Sequence, residues 1–335
     1  MVKKIVISMV CLTLFVFGEE SVNVYSHRHY DSDKILFKAF EKETGIKVNL
    51  LTAKAEELVT KLSLEGKQTS ADVLITADIA NLYQAKELGL LQPIDSKILK
   101  ANIPANLRDK EQEWFGLTKR ARVLVYNKKT IDPKKIATYL DLANSKLGET
   151  ILTRTSSNSY NQSLMAFMIA HEGEEKALAW AKGVVKNMAR HPKGNDRDQI
   201  YAVASGDGDI AIANTYYFAG MLQSNNPKDR DVAQNLGVVF PNQNSYGTHI
   251  NISGAGVTKY GKNKVNGQKL IEFLSSKEAQ YVFANSNFEY PVNKEVKLAG
   301  VIANWDRFNE DQLEIELLGK YNKKAVELLT KAQWK

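Results

Sequence analysis

The chain has 335 residues, 44% hydrophobic and 25% charged, which is ample for two cored domains. Its net charge of +7 is scattered, with no Lys/Arg block interleaved with aromatics, so nucleic-acid binding has no support. The single cysteine, Cys11, lies in the N-terminal apolar run. If that run is removed, disulfides, zinc-thiolate sites, iron–sulfur clusters and thiol catalysis are excluded.

Residues 1–18 read as a secretory signal: Lys3 and Lys4, an apolar run from Ile5 to Phe17, then Gly18 before Glu19 and Glu20. The run is too short to span a bilayer comfortably. Cleavage after Gly18 would leave 43 basic against 38 acidic residues, a net charge of +5. A mild positive surface suits a secreted protein working near anionic membranes or an acidic docking partner.

Beyond the leader, Val22–Ser26 alternates as a strand and ends in His27, Arg28, His29 and Tyr30. A helix over Lys34–Thr44 is closed by Gly45, and a strand follows at Ile46–Leu51. Leu58, Val59 and Leu62 mark one face of the next helix; Asp72–Thr76 is a strand feeding a helix from Asp78 to Leu88. The alternation predicts a mostly parallel sheet covered by helices. Trp114–Asn127 is extended for long enough to cross from one domain to another. Pro133 opens a helix through Leu142, Ile151–Thr153 is a strand, and the run from Ser156 to Asn161 leads into a helix from Gln162 to about His171. Another helix covers Glu174–Met188, and Gln199–Ser205 is helical before a turn at Gly206–Gly208. The strand Ile210–Ala213 then runs into Asn214 and Thr215, a helix cap, with Tyr216 and Tyr217 in the first turn. Strands at Leu236–Pro241 and His249–Val257 return to the first domain; helices follow at about 263–275 and 277–285, an extended Phe288–Val292, and a helix over 310–332. A chain that leaves one lobe, builds a second and returns makes a hinged α/β protein with an interlobe cleft. The expected boundaries are 19–117 plus about 247–290 for lobe one, and about 118–246 plus 291–335 for lobe two.

Three strand-to-helix turns share a design. His29 and Tyr30 precede Asp31 and Ser32, Tyr160 follows Ser157, Asn158 and Ser159, and Tyr216 and Tyr217 follow the Asn214–Thr215 cap. Each puts a phenol at the carboxyl end of a strand beside a helix N-terminus, the edge where open α/β sheets bind ligands. There the helix dipole favours an anion and eases ionisation of a phenol. Phenolate oxygen is hard and anionic, which suits a small trivalent cation such as Fe³⁺ better than zinc or copper. The bland alternative is that each Tyr is core or rim aromatic packing. His27 is the rival imidazole to His29, while His171, His191 and His249 read as isolated, and Asp72, Asp78, Asp207 and Asp209 as caps and turns.

His29-Tyr30, Ser-Ser-Asn-Ser-Tyr160, Asn-Thr-Tyr216-Tyr217 and Phe-Glu-Tyr-Pro-Val, with Arg120-Ala121-Arg122 on the crossing strand, resemble the bacterial periplasmic ferric-ion-binding proteins over essentially the whole mature chain. The resemblance implies a type II periplasmic binding protein that carries Fe³⁺ to an inner-membrane ABC permease, working in the periplasm as a monomer. It implies Tyr160, Tyr216 and Tyr217 as tyrosinate ligands and His29 and Tyr30 as those of lobe one. Arg120, Arg122 and Ser157 become candidates beside the metal or for an anion. Some members use a Glu, an aqua ligand or a synergistic anion such as carbonate; with Tyr30 as a fourth phenol the anion is not required here. A same-fold protein for a polyamine, thiamine or an organic anion is the alternative, with tyrosines as stacking walls. An enzyme is not expected, because G-x-S-x-G, P-loop, dinucleotide, H-E-x-x-H and thiol motifs are absent.

Overall fold

The computed structural model describes residues 20–28, 30–305 and 308–335, so the expected signal at 1–18 and the candidate ligand His29 lie outside the described residues. The chain runs β1 (Ser21–Ser26), α1 (Asp31–Thr44), β2 (Lys47–Thr52), α2 (Ala55–Glu65), β3 (Val73–Thr76), α3 (Ile79–Glu87) and α4 (Lys97–Asn102) into the long β4 (Phe115–Asn127). It continues as β5 (Ile151–Leu152), α5 (Ser159–Lys186), α6 (Asp196–Ser205), β6 (Ile210–Asn214), α7 (Thr215–Leu222), α8 (Pro227–Gln234) and β7 (Leu236–Val239). Then come β8 (Ile250–Val257), α9 (Lys264–Leu274), α10 (Lys277–Asn287), β9 (Tyr290–Pro291), α11 (Gly300–Asn304), α12 (Glu316–Lys320) and α13 (Asn322–Lys331).

The strands follow the order β2-β1-β3-β8-β4-β6-β5, with β7 and β9 also on β4. β1 pairs in parallel with both β2 and β3, whereas β8 joins β3 and β4 antiparallel. The expected parallel character therefore holds for the first three strands and gives way to antiparallel pairing where the chain returns. β4 changes partners along its length: Phe115–Ala121 pairs with β8, and Arg122–Tyr126 pairs with β6. This switch is where a strand passes between two lobes, giving the two-lobe α/β architecture with strands through the hinge.

Local details depart from expectation for identifiable reasons. β7 does not return to the first lobe; it pairs with Leu124–Asn127, at the far end of β4. Pro133–Leu142 forms two short 3₁₀ turns in place of one helix, because Asp141 and Thr138 hydrogen-bond each other's backbone N–H and close the chain locally. The helices expected at 162–171 and 174–188 are one element, α5, broken only at Gly173, whose φ of 79° a side chain would resist. The terminal helix breaks at Tyr321 into α12 and α13, starting only at Glu316. A single apolar cluster joins both lobes, from Val24 and Leu74 through Val123 and Leu124 to Phe167 and Ile212. α12 packs on α3 of one lobe and α5 of the other, so tightly against α3 that a Cβ on Gly319 would lie 2.4 Å from Tyr83 Cβ.

Candidate metal site

Tyr160 is held by local sequence. Asn158 caps α5, its side-chain oxygen accepting from Tyr160 N at 3.1 Å, which fixes the phenol in the first turn. Tyr216 and Tyr217 likewise start α7, straight after β6. There the cap works differently: Asn214 holds the capping position without a side-chain cap bond, because its oxygen accepts from Arg122 Nη1 at 3.2 Å. The turn is fixed from outside, with Asn214 N donating to Asp196 Oδ2 at 2.8 Å and Ala121 N donating to Thr215 Oγ1 at 3.2 Å. Tyr30 is the N-cap residue of α1, and its backbone N–H donates to Asp33 Oδ2 at 3.3 Å.

The phenols converge. Tyr160 Oη and Tyr216 Oη are 2.9 Å apart, and the rings of Tyr216 and Tyr217 have centroids 4.3 Å apart at 34°. Tyr30, from the other lobe, is close enough to Tyr160 and Tyr217 that their ionisation opposes its own. Burial raises the phenols of Tyr30, Tyr216 and Tyr217 above the ordinary value, with mutual repulsion adding to it. A lone phenolate is disfavoured here. A trivalent cation at the same point removes that penalty for all of them together.

Arginines surround the group. The guanidinium carbons of Arg120, Arg122 and Arg154 lie 5.3, 5.7 and 5.4 Å from the centroid of the Tyr160 ring. Arg120 and Arg122 do share a face of β4, as two residues apart on a strand must, yet they reach to different lobes. Arg120 Nη2 donates to Asp78 Oδ2 at 3.2 Å, and Arg122 Nη1 donates to Asp196 Oδ2 at 2.6 Å. Asp78 thus does more than cap α3, where it accepts from Ala80 N at 2.9 Å. Behind the phenols Arg120, Arg122, Tyr160, Ser163, Asn214, His249 and Asn251 enclose a cavity of about 10 Å³, the size of one water.

On the lobe-one side Arg28 is 3% exposed beneath Tyr30, its guanidinium carbon 4.9 Å from that ring's centroid. It pairs with Asp33 at 3.0 Å and with Glu289 at 2.9 Å, and donates to Ser253 Oγ at 2.8 Å. Reading the sequence missed Arg28 and Arg154. Neither has a local signal, although Glu289 stands in the quoted Glu-Tyr-Pro-Val motif.

The remaining candidates are held by other partners. Ser157 is exposed in the turn before α5, hydrogen-bonded to Thr155 Oγ1 at 2.8 Å, and faces an interlobe groove lined also by Asn81 and Asn322. His249 is buried against Phe167 with its Nε2 3.0 Å from Ser163 Oγ, and burial pushes its pKa down. His171 stacks on Tyr246 and meets Asp311 at 3.1 Å. The backbone N–H of His27 donates to the Ile75 carbonyl at 2.9 Å. Among the described residues no three His, Cys, Asp or Glu side chains gather as a metal site.

A family model described as a bacterial extracellular solute-binding protein matches residues 36–309. Iron uptake protein A1 of Synechocystis sp. is 46% identical, over 95% of this chain and 88% of that protein. A ferric binding protein from Campylobacter jejuni has a TM-score of 0.89 at 46% identity, covering 94% of this chain and all of the other. A Trichodesmium protein (IdiA, FutA) in complex with iron and citrate has a TM-score of 0.90 at 47% identity, with 94% of this chain and all of the other covered.

Proposed function

The chain belongs to the bacterial extracellular solute-binding proteins, among their periplasmic ferric-ion-binding members, and from that premise we propose that it captures Fe³⁺ with tyrosinate oxygens in the interlobe cleft and delivers it to an inner-membrane ABC permease. The relatives are transport proteins and not enzymes. The observation that carries the reading is the convergence of Tyr160 and Tyr216 at 2.9 Å, with Tyr217 packed on Tyr216 and Tyr30 within electrostatic reach from the other lobe.

In this reading Tyr160, Tyr216 and Tyr217 bind from lobe two, Tyr30 and His29 from lobe one. His29 enters by its position in the sequence beside Tyr30. Four phenolates already exceed the charge of the ion, so carbonate or another synergistic anion is dispensable. The lobes are 19–117 with about 247–290, and about 118–246 with 291–335, and the protein acts as a monomer in the periplasm. Fe³⁺ held from both sides draws the lobes together, because the closed state alone offers the full ligand set.

Each phenol must lose its proton when it binds, so affinity rises with pH and loading releases protons. Arg120, Arg122 and Arg154 lie over the Tyr160 ring and place positive charge beside it. The test is the visible spectrum of the purified protein during titration with ferric citrate. A tyrosinate-to-ferric charge-transfer band that saturates near one iron per chain supports the reading, and a colourless complex sinks it.

A further inference from the structure

Charge is distributed unevenly around the phenols. Arg120 is matched by Asp78, one guanidinium to one carboxylate, both buried. Asp196, by contrast, faces two guanidiniums. Its Oδ2 accepts from Arg122 Nη1 at 2.6 Å and from Asn214 N at 2.8 Å, while Arg154 Nη1 stands 3.6 Å from Oδ1, beyond hydrogen-bond length. The group Arg122, Asp196 and Arg154 therefore carries one net positive charge. On the opposite side Arg28 faces two carboxylates, Asp33 and Glu289, leaving one net negative charge beneath Tyr30.

Arg154 is mounted firmly and left unspent. Its backbone carbonyl accepts from Asn161 Nδ2 at 2.7 Å and from Trp334 Nε1 at 3.0 Å, so the main chain is pinned from both α5 and the C-terminus. Its side chain keeps 22% of its exposure, while those of Arg120 and Arg122 keep 3% and 1%. The charged groups facing it are Asp196 of α6, Tyr160 of α5 and Tyr217 of α7, with Arg122 of β4 behind the carboxylate.

We propose that Arg154 is a positioning residue for the ion: on the side of Tyr160 it supplies the positive charge that faces a ferric cluster of four phenolates, whereas the charge of Arg120 is already matched by Asp78. The proposal rests on the ferric-phenolate reading and names who balances its charge. Fe³⁺ with four phenolates carries one negative charge, and an uncompensated charge in a half-buried cleft is costly. Burying a second, unpaired arginine would be costly too. Sharing Asp196 between two guanidiniums leaves one charge available without leaving either side chain wholly unpartnered.

The experiment compares the wild type with Arg154→Gln and Arg154→Lys, each loaded with ferric nitrilotriacetate and challenged with citrate at one neutral pH. Removing the positive charge beside the ferric phenolate cluster leaves its negative charge less offset, an effect that water partly screens, so Arg154→Gln should lose about tenfold in retention. Arg154→Lys keeps the charge and should recover most of it. The charge-transfer band gives a second readout: the guanidinium lies over the Tyr160 ring, the electron donor, and stabilises it, so Arg154→Gln should move the band to longer wavelength. A purely structural role would weaken the Lys and Gln variants alike and leave the band in place. Either that pattern, or retention by Arg154→Gln equal to wild type in a coloured protein, overturns the role of Arg154 alone. A colourless wild type overturns the ferric reading and this role with it.

Discussion

The hydroxyl of Tyr160 lies 2.9 Å from that of Tyr216, so two phenols 56 residues apart share one hydrogen bond in the cleft. One of them must be protonated for that bond to exist, and in the proposed site Fe³⁺ would replace the shared proton with a cation bound by both oxygens. Tyr160→Phe, Tyr216→Phe and Tyr217→Phe each remove one anionic oxygen and keep most of the packing. Each should lose at least about tenfold in ferric affinity and shift or bleach the visible band. Two Phe variants that kept the parent spectrum would refute the ligand assignment.

Proton release follows from the same phenols. Burial and mutual repulsion keep Tyr30, Tyr216 and Tyr217 protonated far above neutral pH without the ion. Loading must therefore expel protons, about three to four per iron if all the phenols bind, and affinity must fall as pH falls. A pH electrode in weakly buffered solution reads this directly. Release of fewer than two protons per iron would mean that the phenols do not ionise.

Asp78 sets a separate pH dependence, on stability. Burial pushes its carboxyl up to about 6 from the ordinary 3.8, against the attraction of Arg120. A folded state that holds a proton more tightly than the unfolded chain gains stability from it below about pH 4 and loses that gain as pH rises to about 6. Urea midpoints of the iron-free wild type should show this loss between those values, and Asp78→Asn should flatten it. Identical slopes for the two proteins would count against the assignment.

Arg28 is expected to matter for folding more than for colour. Its removal leaves Asp33 and Glu289 buried together without a cation. Arg28→Gln should destabilise by about 3–5 kcal/mol, as breaking a buried pair from one side does. Denaturant unfolding of the iron-free protein measures this, and a loss below about 1 kcal/mol would show the network to be solvated.

In the proposed site, ligands from two lobes would bias the hinge. Ferric loading should reduce the radius of gyration in small-angle scattering and raise thermal stability, by about 4 kcal/mol at a thousandfold excess over the dissociation constant. An unchanged radius of gyration would argue against the two-lobe clamp while leaving the metal site standing.

Much of this was legible in the sequence because it is local. A strand, a cap and a phenol within a few residues define each of the turns at Tyr160 and Tyr216, and the structure keeps both, Asn158 capping Tyr160 as the side-chain chemistry requires. The core faces of α1 and α2, with Leu36, Phe40, Leu58 and Leu62 buried, follow from helical periodicity in the same way. Tertiary structure alone decided how charge is apportioned. Arg28 meets Glu289 across 261 residues and Arg122 meets Asp196 across 74, and no spacing rule links such partners. The same holds for β7, whose short apolar run suits either lobe until the edge of β4 accepts it. Arg120, Arg122 and Arg154 are chemically alike in the sequence; only the packing of Asp78 and Asp196 makes two of them spent and one available.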